Sequence, residues 1–397
     1  MSLIDMEDRE FIIEIAKRII PVKSISPASG GEGESKREKV LESILTELGY
    51  TNFTSYVTTD NQNFERPSLI LKVGNKEKTA WIVSHIDTVP EGDPKLWTRE
   101  PFSVTVEGNS IYGRGTSDDG QAVFLSMLLL RRIKERINDL QYNLGIAFVA
   151  DEEVGSAYGI QFLLEKNIFK KEDLIFVPDA GSTDGMDIEI AEKSILWMKF
   201  LVNGKQYHAS MPQNAVNANR DGMEFILQLD RMLHEKYSEK NEIFNYPYST
   251  FEPTKHEKNV DNVNTIPGRE VFYMDCRILP EIDVDHIIDE VNIAISDFEQ
   301  THQSRIKMEL VQKEQAAIPT SQDSEVVRKL IEALRKRGQE PRIYGIGGGT
   351  CAAFFRRKGM NAVVWSTTVP EVAHQADEYC VIDHILLDAD TFTEIIF

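Results

Sequence analysis

The chain alternates short apolar runs with amphipathic helical stretches, and this alternation constrains its fold more than any other feature of the sequence. Four nearly continuous apolar runs have the length of buried strands, namely 69–73, 79–83, 144–150 and 174–177. Helical spacing of apolar residues precedes or separates these runs at 8–20, 34–48 and 121–137. Because strands that are apolar on both faces need helices to cover them, the pattern predicts an α/β domain with a mainly parallel sheet flanked by helices.

The middle of the chain has a different order of elements. Strand and helix patterns follow one another at 195–202, 220–236, 271–278, 284–298 and 306–311, with a polar connection over 241–264. This order is typical of a ferredoxin-like βαββαβ sandwich in which one strand is too short to place. The first pattern then resumes at 325–336, 342–346, 361–366 and 383–397. We therefore predict an inserted α+β domain over 194–312 within an α/β domain formed by 1–193 and 313–397.

Charge and apolar content exclude several classes of partner. With 44 Lys and Arg against 64 Asp and Glu, the formal net charge is −20, which repels nucleic acid and anionic membrane surfaces. No apolar stretch approaches the roughly 18 residues of a membrane helix, and the N-terminus has no signal-peptide pattern. The three scattered cysteines fit a reducing compartment. We expect a cytoplasmic protein with no nucleic-acid or membrane partner.

Side chains that bind metal ions follow several of the predicted strands. The second of the four runs leads into His85, the third into 151–153 and the fourth into Asp179, while His374 follows the strand at 361–366. Asp118 lies in a glycine-flanked loop before a helix. Because ligands of open α/β sheets bind beyond the carboxyl ends of the strands, we expect these groups at one edge. Imidazoles and carboxylates without thiolates suit zinc, manganese or cobalt, and a bridging carboxylate can hold two ions about 3.5–4 Å apart. The set resembles a two-metal hydrolase.

These residues lie in motifs that resemble one known family. The motifs are His85-Ile86-Asp87-Thr88-Val89-Pro90, Gly113-Arg114-Gly115 with Asp118, Glu152-Glu153-Val154-Gly155-Ser156, Tyr207-His208-Ala209-Ser210-Met211-Pro212 and Ala373-His374. In this order, over nearly the whole chain, they are similar to the acetylornithine deacetylase, succinyl-diaminopimelate desuccinylase, aminoacylase and glutamate carboxypeptidase family of dizinc metallopeptidases. That family carries a lid and dimerisation domain at the place of the inserted domain.

The resemblance implies two divalent metal ions, with zinc preferred and cobalt or manganese as alternatives. His85 and Asp179 would bind one ion, Glu153 and His374 the other, and Asp118 would bridge them. The resemblance also implies a cis peptide bond after Asp118.

Two further acids would complete the catalytic centre. Asp87 would orient the imidazole of the preceding ligand and raise its basicity. Glu152 would be the general base that takes a proton from the attacking water and passes it to the leaving amine. The implied activity is metal-dependent hydrolysis of amide bonds, of the deacylase or desuccinylase type or of the carboxypeptidase or dipeptidase type.

The inserted domain would supply the substrate contacts. By resemblance, His208 reaches the site of a neighbouring subunit and hydrogen-bonds the oxyanion, so a homodimer through the lid domain is implied. A substrate with a free carboxylate, either a small peptide or an N-acylated amino acid, would be bound by Asn264, Arg277, Gly348, Gly349 and Thr350. An Arg fork at this place suits a carboxylate.

Departures from the family pattern affect the substrate rather than the metal chemistry. Asp179 would be Glu in typical acetylornithine and succinyl-diaminopimelate enzymes, and Asp there favours a peptidase-like substrate. Cys351 stands where the family often has an acid or Ser, and Cys351 with His374 gives an alternative thiol hydrolase. A second alternative is a non-enzymatic nucleotide-binding module at 345–350, although no Lys follows these glycines as a phosphate loop requires.

Overall fold

A computed structural model gives the fold and describes residues 3–338 and 340–397. The described residues divide into two compact units. The larger unit extends to Ile190 and resumes over Thr320–Tyr344 and Thr350–Phe397, and the smaller unit comprises Ala191–Pro319 and Gly345–Gly349. The domain boundaries at 193 and 312 remain a prediction from the sequence, and Met1 and Ser2 of the first predicted segment lie outside the described residues.

The first part of the larger unit contains the strands and helices that the apolar runs predict, together with short strands that they do not. Its strands are β1 (Thr54–Thr59), β2 (Glu65–Val73), β3 (Thr79–His85), β4 (Thr105–Glu107), β5 (Ser110–Tyr112), β6 (Asn143–Val149), β7 (Leu174–Val177) and β8 (Asp187–Glu192). Its helices are α1 (Leu3–Ile19), α2 (Ser35–Glu47), α3 (Gln121–Ile133) and α4 (Ile160–Leu164).

The smaller unit follows and contains a second sheet. Its strands are β9 (Ser194–Asn203), β10 (Tyr207–His208), β11 (Thr250–His256), β12 (Thr265–Ile266), β13 (Arg269–Ile278) and β14 (Arg305–Glu314), and its helices are α5 (Ala218–Lys236) and α6 (Val284–Thr301). The chain then continues through α7 (Glu325–Lys336), β15 (Arg342–Ile346), α8 (Cys351–Arg357), β16 (Ala362–Val364), β17 (Tyr379–Val381) and α9 (Ile382–Ile396).

The main sheet has the strand order β1-β2-β6-β3-β7-β16-β8-β15 in the described part of the chain. Its four central strands, β6, β3, β7 and β16, run parallel, whereas β1, β2 and β8 pair antiparallel with their neighbours. Every residue of β3, β6 and β7 is buried, which explains why these strands are nearly continuous apolar runs. The prediction of a mainly parallel sheet flanked by helices is therefore confirmed.

The strands that the sequence did not predict are short or rich in polar residues. β4, β5 and β17 have three residues each and form a small antiparallel sheet of their own. β8 contains Glu189, an acid within a strand that lies buried against Arg356. Hydrophobic periodicity cannot detect strands of this kind, because their polar side chains are buried against partners that are distant in sequence.

The sheet of the smaller unit has the order β11-β13-β9-β14, with all neighbours antiparallel. Apolar residues of this sheet form one core with apolar residues of α5 and α6, among them Phe200, Phe225, Phe272 and Phe298. This is the ferredoxin-like order that the sequence predicts. β11 is the strand that could not be placed, because Phe251 is its one buried residue and the rest of the strand is largely exposed.

No described helix is long and apolar enough to cross a membrane.

Candidate metal centre

Five side chains from distant parts of the larger unit meet at the carboxyl edge of its parallel strands. His85 is the last residue of β3, Asp179 follows β7 by two residues, and Glu153 follows β6 by four. Asp118 comes from the loop before α3, and His374 from the loop between β16 and β17. The parallel direction of β3, β6 and β7 brings their carboxyl ends to the same edge, so the local sequence after each strand determines what that edge presents.

Asp118 stands between the two imidazoles. Its Oδ1 lies 2.7 Å from Nε2 of His85, and its Oδ2 lies 2.9 Å from Nε2 of His374. On one side, His85 Nε2 is also 3.7 Å from Asp179 Oδ1. On the other side, His374 Nε2 is 3.1 Å from Glu153 Oε2. The five side chains therefore form two groups of three that share the carboxylate of Asp118.

The imidazoles and carboxylates of this centre shift one another's pKa values. Hydrogen bonds to Asp118 and Glu153 raise the pKa of His374 to about 10. Burial alone would lower the pKa of His85, but the neighbouring carboxylates of Asp118, Asp179 and Asp87 outweigh it and hold that pKa well above its ordinary value. Burial likewise opposes ionisation of Asp118, yet its two imidazole partners keep its pKa well below the usual range. The carboxylates thus attract positive charge on both sides of Asp118.

The donor set fits two divalent cations. Glu153 is largely buried, and its Oε1 has no hydrogen-bond partner among the described residues. An unpartnered buried carboxylate oxygen is costly unless a cation or a donor reaches it. Imidazole nitrogens and carboxylate oxygens without a thiolate are ligands that zinc, cobalt and manganese accept. His85, Asp118 and Asp179 can hold one cation, and Asp118, Glu153 and His374 another.

Asp87 lies against the imidazole of His85 and also contacts the turn that carries Glu152. Nδ1 of His85 lies 3.1 Å from the main-chain oxygen of Asp87 and 3.5 Å from its Oδ1. The same carboxylate accepts hydrogen bonds from the backbone N–H groups of Glu152 at 3.0 Å and Glu153 at 3.1 Å. That Asp87 orients the imidazole stays a prediction, and its oxygens also hold the turn that carries Glu152 and Glu153.

Glu152 directly precedes Glu153 in the chain and is half-buried. Burial, together with the negative charge of Asp179, raises the pKa of Glu152 well above its ordinary value. A carboxylate with a raised pKa accepts protons more readily at neutral pH than an exposed one does. The peptide bond between Asp118 and Asp119 is cis, as expected from the sequence.

The expected substrate contacts of the inserted domain belong to the smaller unit. His208 on β10 pairs with Thr265 on β12, and the N–H of Ala209 donates to the carbonyl of Asn264 at 2.9 Å, so His208 and Asn264 are neighbours. The imidazole of His208 is exposed, and its Nδ1 accepts a hydrogen bond from the N–H of Ser210 at 3.1 Å.

Arg277 on β13 is held by Asp275, an acid of the same strand. Its Nε and Nη2 donate to the carboxylate of Asp275 at 2.8 and 3.1 Å, and its Nη1 donates to the carbonyl of Gly347 at 3.0 Å. A methyl group added at Gly348 or Gly349 would meet no described atom within 4 Å. Thr350, in the larger unit, caps α8 by accepting the N–H of Ala352 at 3.2 Å.

Cys351 does not have the environment of a nucleophile. The residue is buried, and burial together with the charges of Glu152 and Asp179 raises the pKa of its thiol well above the ordinary value. Because the thiolate is the reactive form, this environment opposes the alternative of a thiol hydrolase.

Sequence reasoning missed two buried residues beside the centre. Arg114 and Glu378 form an ion pair at 2.6 Å, and the carboxylate of Glu378 accepts the backbone N–H of Asp118 at 3.1 Å. The sequence signal for Glu378 was weak, since a single acid four residues after His374 reads as a solvated side chain.

Comparisons with known proteins agree on one family. A family model described as peptidase family M20/M25/M40 matches residues 81–397. An uncharacterized metallohydrolase of Methanocaldococcus jannaschii is 38% identical to this chain, with 98% of this chain and 99% of that protein covered. A succinyl-diaminopimelate desuccinylase of Orientia tsutsugamushi is 25% identical over 96% of this chain and 94% of that protein. Among solved structures, aminopeptidase PepT from Bacillus cereus has a TM-score of 0.76 at 18% identity and covers 98% of both chains, which is a likeness of fold.

Proposed function

Because the chain belongs to the peptidase family M20/M25/M40, we propose that it hydrolyses an amide bond in a small peptide or an N-acylated amino acid with two divalent metal ions. The observation that carries this proposal is the position of Asp118, whose two oxygens each contact a different imidazole. A carboxylate shared in this way has the chemistry of a bridging ligand. Zinc is the preferred ion, with cobalt and manganese as alternatives, because the donors are imidazole and carboxylate.

Two cations in this centre would supply Lewis-acid activation of the scissile carbonyl and of the attacking water. The chain itself supplies the proton transfers. Glu152 takes a proton from the water as the carbon–oxygen bond forms, and it returns that proton to the amine nitrogen as the carbon–nitrogen bond breaks. Asp87 holds the turn that carries Glu152 through two backbone hydrogen bonds. The products are a carboxylic acid and a free amine.

Arg277 would bind a carboxylate of the substrate. A guanidinium has five N–H donors, of which Asp275 and Gly347 use three. One donor on each terminal nitrogen is left for a ligand, and two parallel N–H groups match a carboxylate. Asn264, Gly348, Gly349 and Thr350 are proposed as further contacts, and Asp179 in place of Glu favours a peptidase-like substrate.

The experiment loads metal-free protein with zinc, cobalt or manganese and assays N-acetyl amino acids, N-succinyl amino acids and dipeptides. We expect turnover of at least one class with metal, and none with excess chelator. Glu152→Gln should lose between about 10²- and 10⁴-fold in kcat while keeping the metal content of the unmodified protein. Glu165 is an exposed acid further along the chain, and Glu165→Gln should have no effect. Metal-independent turnover, or full activity of Glu152→Gln, would contradict the proposal.

We further propose a homodimer through the smaller unit in which His208 acts on the substrate of the neighbouring subunit. A mixing experiment tests this directly, since we expect His208→Ala and Glu152→Gln chains each to be nearly inactive alone. A mixed dimer has one complete site only if His208 acts in trans, so activity should return on mixing. Activity that stays absent after subunit exchange, or a protein that is monomeric by light scattering, would contradict it.

A further inference from the structure

An ion pair that the proposed reaction does not use lies beside the metal centre. Arg114 and Glu378 are 2% and 1% exposed, and Nη1 of Arg114 lies 2.6 Å from Oε2 of Glu378. Burying two charges is expensive, and such a pair contributes little net stability compared with apolar residues of the same volume. The other contacts of Arg114 and Glu378 indicate that the pair holds neighbouring groups in place.

Glu378 binds the backbone of the Asp118 loop, which we define as residues 113–119. Its Oε2 accepts the N–H of Gly115 at 3.0 Å, and its Oε1 accepts the N–H of Ser117 at 2.9 Å and of Asp118 at 3.1 Å. One carboxylate thus holds three N–H groups of this loop, including that of Asp118 itself. Only glycine fits at position 115 of this loop, because its φ is +75° and a Cβ there would lie 2.5 Å from Thr88.

Arg114 binds the turn that carries the second imidazole. Its Nη2 donates to the carbonyl of His374 at 3.3 Å. His374 has a φ of +62°, a conformation that non-glycine residues rarely adopt without support. The backbone carbonyl of Glu378 also accepts the N–H of Gly113 at 2.9 Å. Arg114 and Glu378 therefore connect the Asp118 loop to the turn over residues 374–378 through both side chains and backbone.

These contacts bear unequally on the two groups of ligands. The group of Asp118, Glu153 and His374 has two of its three members held by the ion pair. The group of His85, Asp118 and Asp179 has one. Metal ions tolerate displacements of only a few tenths of an ångström in their ligands, and outer hydrogen-bond partners typically contribute a factor of about 10–100 in metal affinity.

We propose that Glu378 and Arg114 are positioning residues that set the affinity of the cation held by Asp118, Glu153 and His374. This inference rests on the proposed function. Loss of the Glu378 carboxylate should weaken that cation more than the cation on His85 and Asp179. A side chain that merely stabilises the fold would weaken neither cation selectively.

The experiment titrates Co²⁺ into metal-free full-length protein and follows the visible absorption spectrum and the calorimetric stoichiometry. Glu378→Gln keeps the size of the side chain but replaces one acceptor oxygen with a donor. We expect one Co²⁺ ion to bind normally and the second to bind about 10–100-fold more weakly than in the unmodified protein, with a changed spectrum for that second ion. Arg114→Lys retains the charge facing Glu378 but not the second donor at His374, so a smaller loss confined to the same ion is expected.

Glu189→Gln is the matched control. Glu189 and Arg356 form another buried ion pair of the larger unit, with Oε1 2.8 Å from Nη1, and neither residue is a ligand of the proposed centre. This variant should bind two Co²⁺ ions like the unmodified protein. Normal binding of both ions by Glu378→Gln would overturn the inference, as would an equal loss in Glu189→Gln.

Two further outcomes are also decisive. If Glu378→Gln fails to fold by circular dichroism, Arg114→Lys decides, and its normal binding of the second ion would overturn the inference. If the unmodified protein binds no pair of ions, the proposed function has failed, which is a different result from normal binding by the variants.

Discussion

Replacing Arg66 by Leu should strongly destabilise the larger unit, because its guanidinium is the shared partner of three buried acids. Its Nη2 lies 2.6 Å from Glu34, and its Nη1 lies 2.9 Å from Asp151 and 3.5 Å from Asp60. The Arg66 side chain is 2% exposed, and the carboxyl groups of its partners are 3% exposed or less. Arg66→Leu leaves these acids buried without a cation. Removing one partner of a buried pair costs about 3–5 kcal/mol, and we expect a loss in this range near neutral pH.

The loss should depend on pH in a definite direction. Burial raises the pKa of Glu34 and of Asp151, and Arg66 acts against that rise in both cases. Without Arg66 the two pKa values rise further, so the folded variant binds more protons than its unfolded chain does. A protein with an acid whose pKa is raised on folding loses stability as the pH rises from the pKa of the unfolded state to that raised value. The destabilisation should therefore be largest at about pH 8 and smaller at about pH 5.5.

Arg342→Leu is the control, because Arg342 also pairs with two acids but at the surface. Its side chain is 53% exposed and contacts Asp184 and Asp187. Exposed ion pairs contribute about 0–1 kcal/mol, so this variant should lose no more than that.

Urea unfolding with excess chelator measures the free energy of unfolding of all three proteins, and intrinsic fluorescence reports mainly the larger unit. That unit holds Trp81, Trp97 and Trp365, whereas Trp197 lies in the smaller one. A loss below about 1 kcal/mol in Arg66→Leu would refute the reasoning. A loss that is equal in the two variants, or that does not change with pH, would refute it as well.

Three other variants or treatments test separate parts of the structure. The Asp388 carboxylate accepts hydrogen bonds from the N–H and Oγ1 of Thr367, and burial raises its pKa to about 7, so the unmodified protein should lose stability as pH rises from about 4 to about 7. Asp388→Asn should flatten this dependence, and melting temperatures at about pH 5 and about pH 8 that shift equally in both proteins would contradict it. Iodoacetamide should leave Cys351 unmodified in the folded protein, since its thiol is buried with a raised pKa; rapid labelling seen by mass spectrometry would disprove this. Asp87→Asn keeps one acceptor for the Glu152 turn and loses the other, so kcat should fall about 10–100-fold with little change in KM, and a change in KM alone would argue against this positioning role.

Local sequence was sufficient to predict much of the fold and the identity of the grouped side chains. The runs that became β3, β6 and β7 are buried on both faces, and their period and length are visible without any knowledge of their neighbours. The direction of parallel strands then places His85, Glu153 and Asp179 at a common edge, since each stands shortly after the end of its strand. The roles that the resemblance assigns to these residues stay a prediction until metal content is measured.

Only the tertiary structure decided which polar residues are removed from water and which partner each one meets. In the sequence, Glu34, Arg66, Glu189 and Glu378 look like solvated charges, because a charge is recognised as buried only when its distant partner is known. The same holds for Asp87, whose carboxylate also accepts hydrogen bonds from the backbone N–H groups of Glu152 and Glu153. Burial and pairing depend on elements that the chain brings together from tens or hundreds of residues away, and the local pattern of hydrophobicity carries no information about them.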